Sequence, residues 1–383
     1  MTPEAITAIR MRDYFACEDN FCKTSALPSE LVQGSHRETA PLFTIVIPTY
    51  RKPQLLRQAV QSALAQPGSD YQILVVDDVP GGDPQTAAAL AQLADERLML
   101  YANRSNLGLF ANWNRCFELA RSQWVVMLHD DDLLSAEYLP WMRSALQAAP
   151  QADLVACTKS SYPIGPEPLE PQQLEQLCAP CAAAAPKKLR PVSHTQLQFG
   201  PGIVWQGSCI RRQAFVEMGG AQLGTRMVGQ DAIGAYYGQD YCMMVRFAHR
   251  FRCYRLNRDL YRVGEGANSS RNVWEWQDAL VEQHWCSRFL AKHSAFPEKW
   301  GILAAQKHIL ELAEAYNSGQ SYMGVEAGLD LALLCRECLI DYPRVTGEMK
   351  AAAKLWHLYD RACMLLSHSK DRRLSAPELG GTV

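Results

Sequence analysis

Between residues 43 and 148 the apolar positions switch repeatedly between two spacings. Phe43-Thr44-Ile45-Val46-Ile47-Pro48 is a compact apolar run stopped by proline, which predicts a buried strand. From Pro53 to Leu64 the apolar residues fall at 55, 56, 59, 60, 63 and 64, the spacing of a helix with one buried face, and Pro53 suits its first turn. Gln72 to Val76 reads as a second strand ending in Asp77-Asp78, Val79 to Asp83 as a Gly/Pro turn, and Pro84 to Leu93 as a helix. A short strand follows at Leu98 to Tyr101. A helix at Leu107 to Ala120 then sets Leu109, Phe110, Trp113, Cys116, Phe117 and Ala120 on one face. Trp124 to Leu128 is again strand-like and is followed by a helix from Ser135 to Gln147. Strands alternating with helices predict an α/β fold, an open and mostly parallel sheet flanked by helices.

Beyond this core the pattern loosens. Asp153 to Thr158 predicts another strand, whereas residues 159–200 are rich in proline and alanine and read as an insertion or long loop, with a short helix near Gln172 to Leu177. Ile203 to Arg211 reads as a strand, Gln213 to Met218 as a short helix, Gln239 to Phe247 as a helix with an acidic start, and Phe251 to Tyr254 and Leu260 to Val263 as two closing strands. From Val273 to His368 the chain has helical character. The expected organisation is an N-terminal extension at 1–41 with room for one short helix, a domain at 42–272 and a helical C-terminal region at 273–383.

Composition narrows the class. A chain of 383 residues with 48% hydrophobic and 20% charged residues can bury a sizeable core. Its formal net charge of −2 gives no global basic excess, so nucleic acid is not an expected partner. The 13 cysteines sit largely in apolar segments, as reduced thiols do. Two Cys-x-x-Cys pairs, Cys178/Cys181 and Cys335/Cys338, lie in unlike segments without a zinc-ribbon pattern and are read as core or surface thiols. No apolar run approaches the roughly 18 residues needed to span a bilayer, and Glu4, Asp13, Glu18 and Asp19 break up any secretory signal core. The expected location is cytoplasmic, with peripheral contact at the inner membrane face as a further expectation.

The candidate chemistry sits at the strand ends. In open parallel sheets ligands bind beyond the carboxyl ends of the strands. Pro48-Thr49-Tyr50, Asp77-Asp78 and Asp130-Asp131-Asp132 all fall at such ends. Three consecutive carboxylates after an apolar strand call for a counter-charge, and a hard divalent cation with a substrate diphosphate supplies one. A solvated acidic turn capping the next helix is the plainer alternative.

Taken together, residues 42–270 resemble an inverting family-2 glycosyltransferase of GT-A fold. The resemblance rests on Thr44 to Tyr50, Val75-Val76-Asp77-Asp78, Asn103 to Gly108, Asn112-Trp113-Asn114, the Asp cluster, Gln239-Asp240-Tyr241, and Tyr261-Arg262-Val263 with Asn268-Ser269-Ser270, in family order. It implies a GT-A type sheet, Mn²⁺ or Mg²⁺ as cofactor, and a nucleotide-diphospho-sugar donor, a UDP-sugar being the first expectation. It implies metal ligation by Asp131 with Asp132 in support, and Asp130 near the ribose. The usual first Asp of the Asp-x-Asp motif is replaced by His129, which either ligates or packs. Asp78 would meet the nucleobase, Pro48, Thr49 and Tyr50 would line its pocket, and Asn106 or Arg104 would reach the nucleotide. Asp240 would be the general base, although it also suits a helix cap; Asp231 is its rival. Where the family often carries a His after the Tyr-Arg pair, this chain has Gly264-Glu265-Gly266. Arg262 suits either a phosphate contact or a structural ion pair. Trp205 suits either a sugar platform or the core.

The acceptor implied is a glycan or lipid-linked hydroxyl in surface-polysaccharide assembly. The C-terminal region, with Lys350, Lys354, Arg361, Lys370, Arg372 and Arg373, either docks on a membrane or partner or simply forms a helical core. Two alternatives remain. One is a non-catalytic module of the same fold that binds nucleotide sugar or glycan. The other is a nucleotidyltransferase, disfavoured because no glycine-rich loop follows the first strand.

Overall fold

A computed structural model describes residues 3–180, 188–197, 204–223, 239–266, 273–293, 298–317, 331–340 and 372–373. The chain opens with α1 (Pro3–Arg10) and β1 (Ser29–Gln33). The alternating core follows as β2 (Phe43–Thr49), α2 (Pro53–Leu64), β3 (Tyr71–Asp77), α3 (Pro84–Ala91), β4 (Leu98–Asn103), α4 (Leu109–Leu119) and β5 (Trp124–Met127). Next come β6 (Leu133–Leu134), α5 (Tyr138–Ala148), β7 (Leu154–Pro163), α6 (Pro171–Cys178), β8 (Lys188–Val192), α7 (His194–Leu197), β9 (Cys209–Arg211) and α8 (Arg212–Glu217). The rest is α9 (Gln239–Arg250), β10 (Cys253–Glu265), α10 (Val273–Lys292), α11 (Glu298–Asn317), α12 (Leu331–Cys338) and β11 (Arg372–Arg373).

Among the described residues one sheet runs in the order β1-β4-β3-β2-β5-β9-β7-β10-β8-β11, with β6 paired to β10. Strands β4, β3, β2 and β5 are mutually parallel, and β7 is parallel to β10. The short β9 runs against both β5 and β7, so these six strands all point one way. The sheet is therefore mixed but mostly parallel in orientation, as expected.

Alternation along each strand splits the core in two. Val46, Leu74, Val76 and Met99 pack on Phe110, Trp113 and Phe117 of α4. Ile45, Ile47, Ile73 and Val75 pack on Leu56 and Val60 of α2 and on Tyr138 and Trp141 of α5. Burial on both faces explains why β2 and β3 read as continuous apolar runs. The boundaries of α2 coincide with the periodicity, and Asp83 caps α3 by accepting from Gln85 N at 3.0 Å.

Several segments depart from expectation. Ser29–Gln33 pairs with β4 and edges the sheet; its five residues carry no strong alternation of their own. The two expected closing strands are one, β10, which absorbs the polar residues between them through register shifts near Asp259. The Pro/Ala-rich 159–200 segment begins inside β7 and re-enters the sheet as β8. Of the strand expected at 203–211, the described residues 204–211 are extended only at Cys209–Arg211, because Trp205 turns into the core and Gly207 adopts φ +71°. Helices α10, α11 and α12 bury a cluster of their own that includes Leu280, Val281, Ile309, Leu310 and Leu334. Arg12 of the N-terminal segment forms an ion pair with the fully buried Glu282 of α10. No described helix is long and apolar enough to cross a membrane. Lys350, Lys354, Arg361 and Lys370 lie outside the described residues, as do Asp231, Cys181 and Asn268-Ser269-Ser270.

Candidate active site

Parallel strand ends bring the first two polar clusters together. Thr49 at the end of β2 donates from its hydroxyl to Asp130 Oδ2 at 2.8 Å, and its carbonyl accepts from Asp78 N at 3.0 Å. Pro48 and Thr49 are buried, whereas the Tyr50 ring is 43% exposed, with the Arg51 guanidinium 5.1 Å from its centroid. Tyr50 is thus the apolar surface offered at this edge.

Asp77 and Asp78 divide the work at the end of β3. Asp77 caps the following turn, accepting from Val79 N at 3.0 Å and Asp83 N at 2.7 Å. Asp78 Oδ1 accepts from Leu107 N and Asn103 Nδ2, and Oδ2 accepts from Gly108 N, all within 2.8 Å. Asn106 donates to the Asp78 carbonyl at 3.1 Å. Asp78 therefore clamps the 103–108 loop, and its Oδ2 keeps capacity for one further donor. Burial pushes its carboxyl up to about 6 against those three hydrogen bonds.

The third cluster is a network. Lys52 donates to Asp131 Oδ2 at 2.8 Å and lies 3.4 Å from Asp130 Oδ1. Burial alone would lower the ammonium's pKa, but Asp130 and Asp131 outweigh it and the pKa rises. Burial pushes Asp130 up to about 6, opposed by Lys52. Asp132 is held from β10: Tyr261 donates its hydroxyl to Oδ2 at 2.6 Å and Gly264 N donates to Oδ1 at 2.8 Å. Burial first, and the Asp131 charge second, push Asp132 up to about 7. Tyr162 of β7 donates to the Asp131 carbonyl at 3.0 Å.

His129, Asp131 and Asp132 each offer a ligand atom, and these atoms lie within 4.8 Å of one another. Burial lowers His129 to about 4, so its imidazole is neutral, the form that ligates a metal. Its Nε2 is enclosed without a hydrogen-bond partner, and its ring leans on Trp113 at 5.4 Å. An imidazole with two carboxylates fits a divalent cation, and suits Mn²⁺ better than the all-oxygen preference of Mg²⁺. Gly264 explains the missing third-loop histidine: a Cβ there would stand 2.2 Å from the Asp131 carbonyl oxygen. Position 264 supplies a backbone donor to Asp132 and has no room for a side chain.

Asp240 lies in the first turn of α9 and accepts from Tyr241 N at 2.8 Å. Burial raises its pKa. The negative charges of Asp132 and Asp240 each act to raise the pKa of Lys159 of β7, against its burial. Lys159 keeps much of its surface in water, yet burial lowers its pKa.

Other candidates are occupied elsewhere. Arg262 pairs with Asp259 at 2.8 Å and donates to the Leu177 carbonyl, the structural alternative. Arg104 pairs with Glu30. Trp205 is 1% exposed among Phe117, Phe215 and Phe247 and is a core residue. Asn112 and Asn114 bind the backbone at Val76 and Ala221. Sequence reasoning missed Lys52, Lys159 and Tyr162, since isolated Lys and Tyr residues carry no pattern. Tyr261 belonged to a quoted motif without an assigned role.

The fold and site define a doubly covered α/β sheet protein with an acidic, cation-compatible cluster at its strand ends. Residues 44–215 match the family model described as glycosyl transferase family 2. The chain is 31% identical over 112 residues (29% of this chain, 32% of the relative) to the succinoglycan biosynthesis protein ExoO of Rhizobium meliloti. It is 30% identical over 107 residues (27% and 35%) to the GalNAc(5)-diNAcBac-PP-undecaprenol beta-1,3-glucosyltransferase of Campylobacter jejuni. Among solved structures, S. aureus TarS 1–349 in complex with UDP-GlcNAc aligns with TM-score 0.46 and 12% identity, covering 70% of this chain and 80% of that one. The chain spans between 14% and 46% of the length of curated relatives such as these.

Proposed function

We propose that this protein is a metal-dependent inverting glycosyltransferase. It moves a sugar from a nucleotide-diphospho-sugar, a UDP-sugar in the first instance, to a hydroxyl of a glycan or lipid-linked acceptor in surface-polysaccharide assembly. This places its work at the cytoplasmic side of the membrane. The observation that carries the reading is the gathering of His129, Asp131 and Asp132 ligand atoms within 4.8 Å of one another at the strand ends.

In this reading Pro48, Thr49 and Tyr50 line the nucleobase pocket, with the exposed Tyr50 ring as its stacking face. Asp78 Oδ2 has room to accept from the imide N–H of uracil, Asn106 braces that strand end, and Asp130 lies near the ribose. His129, Asp131 and Asp132 would hold Mn²⁺ or Mg²⁺, which when bound supplies Lewis-acid neutralisation of the leaving diphosphate. Asp240 takes the acceptor hydroxyl's proton as the oxygen attacks the anomeric carbon from the face opposite the diphosphate. Its burial-raised pKa suits a base more than that of a free carboxylate would.

Asp240→Asn is the test. Nucleotide binding, read as a rise in melting temperature with UDP and Mn²⁺, should persist, while transfer falls by about 10²- to 10⁴-fold. Undiminished transfer removes Asp240 from the mechanism. A panel of nucleotide sugars that shifts melting under no metal condition refutes the donor assignment.

A further inference from the structure

Lys52 stands where the cation's own charge is needed. Its ammonium lies 2.8 Å from Asp131 Oδ2 and 3.4 Å from Asp130 Oδ1, and the side chain is 21% exposed, so it has a way out. Asp131 is also one of the three residues whose ligand atoms cluster within 4.8 Å. One carboxylate oxygen cannot give its full charge to an ammonium and to a divalent ion, and two cations on one small carboxylate repel each other.

We propose that Lys52 is a built-in competitor for the cation. It keeps the acidic cluster neutralised until ion and diphosphate arrive together, and the diphosphate draws the ammonium off the carboxylates. Metal alone then binds weakly, because it must first displace Lys52. Metal with nucleoside diphosphate binds well, because the displaced ammonium gains new anionic partners. The two ligands are coupled through one side chain, and the coupling is reciprocal. This inference rests on the metal–diphosphate reading given above.

Lys159 offers a control, a second lysine that feels the same acidic cluster. It feels Asp132 and Asp240 through space, whereas Lys52 touches Asp130 and Asp131 directly. A competitor for a ligand oxygen and a bystander charge predict different results.

The experiment measures Mn²⁺ binding to the full chain by electron paramagnetic resonance, with and without UDP or GDP. The forms compared are native, Lys52→Met, Lys52→Gln, Lys52→Arg and Lys159→Met, each checked for a cooperative melt. Lys52→Met and Lys52→Gln should bind Mn²⁺ alone about tenfold more tightly than native, about 1.4 kcal/mol. Their gain in Mn²⁺ affinity on adding nucleotide should shrink by a similar factor. Lys52→Arg should behave as native, and Lys159→Met should change Mn²⁺ affinity about twofold or less. Two neutral variants are used so that a folding failure in one leaves the comparison standing. Unchanged Mn²⁺ affinity in the neutral Lys52 variants, with a native Mn²⁺–nucleotide complex intact, overturns the role of Lys52 and leaves the donor reading standing. An equal effect of Lys159→Met overturns it too, since a general field would then account for the change. Failure of every form to take Mn²⁺, with either nucleotide or without, sinks the metal reading and this inference with it.

Discussion

Tyr261→Phe removes a single oxygen and leaves the ring. That oxygen donates to Asp132 Oδ2 at 2.6 Å and accepts from His129 N at 3.2 Å. Tyr261 is fully buried and Asp132 is 3% exposed, so water cannot readily replace either bond. A hydrogen bond to a charged group contributes about 1.5–3 kcal/mol, and a buried donor left unpaired costs about 1–3 kcal/mol. The phenyl ring still fills its space beside Gly207, so no cavity term is added. The two losses overlap with local relaxation, and the expected destabilisation is about 3 kcal/mol. For a domain of this size that lowers the melting temperature by roughly 6–12 °C. Urea unfolding monitored by tryptophan fluorescence gives the free energy, and Tyr162→Phe serves as the comparison. Tyr162 donates only to the backbone carbonyl of Asp131, so its loss should cost about 1 kcal/mol. If Tyr261→Phe unfolds within about 0.5 kcal/mol of native, β10 does not hold the Asp cluster through this hydroxyl.

Gly264→Ala should be as damaging, about 3 kcal/mol, because its Cβ would stand 2.2 Å from the Asp131 carbonyl oxygen and push the Gly264 N–H off Asp132; a native melting curve would refute this. Asp78 titrates near 6 in the folded chain against 3.8 as an ordinary carboxyl, so its stabilising contribution is full below pH 4 and is lost as pH rises to about 6. Unfolding measured across that window should show a decline of about 3 kcal/mol from this group, absent in Asp78→Asn; parallel curves for the two proteins would refute it. Mn²⁺ affinity should fall about tenfold per unit below pH 7, since a ligand pushed up to about 7, Asp132, must first release its proton; a flat titration from pH 5 to 7 would exclude Asp132 as a ligand.

Much of the fold was legible in the chain because its strands are buried on both faces and its helices on one. Continuous apolar runs at β2 and β3, and the helical spacing of α2, need no distant partner to be recognised. Parallel strands all end at the same edge, so Thr49, Asp78 and the Asp cluster could be grouped by position along the sequence alone. Side-chain partners were not legible. Arg262 and Trp205 suit binding or packing equally well by residue type, and only their surroundings, Asp259 for one and three phenylalanines for the other, assign them to structure. The edge strand β1 was hidden because an edge strand with one hydrogen-bonded neighbour needs little apolar patterning.

The amino-acid order by itself determined the layer architecture and the supply of acidic groups at the sheet's working edge, since periodicity and strand direction are local properties. Only tertiary structure decided which charges meet. Lys52 reaches residues 78 and 79 positions away, Tyr261 reaches Asp132 across 129, and Lys159 feels the charge of both that aspartate and Asp240. Electrostatic and hydrogen-bond energies depend on separations of a few ångströms, and distance along the chain says almost nothing about those separations.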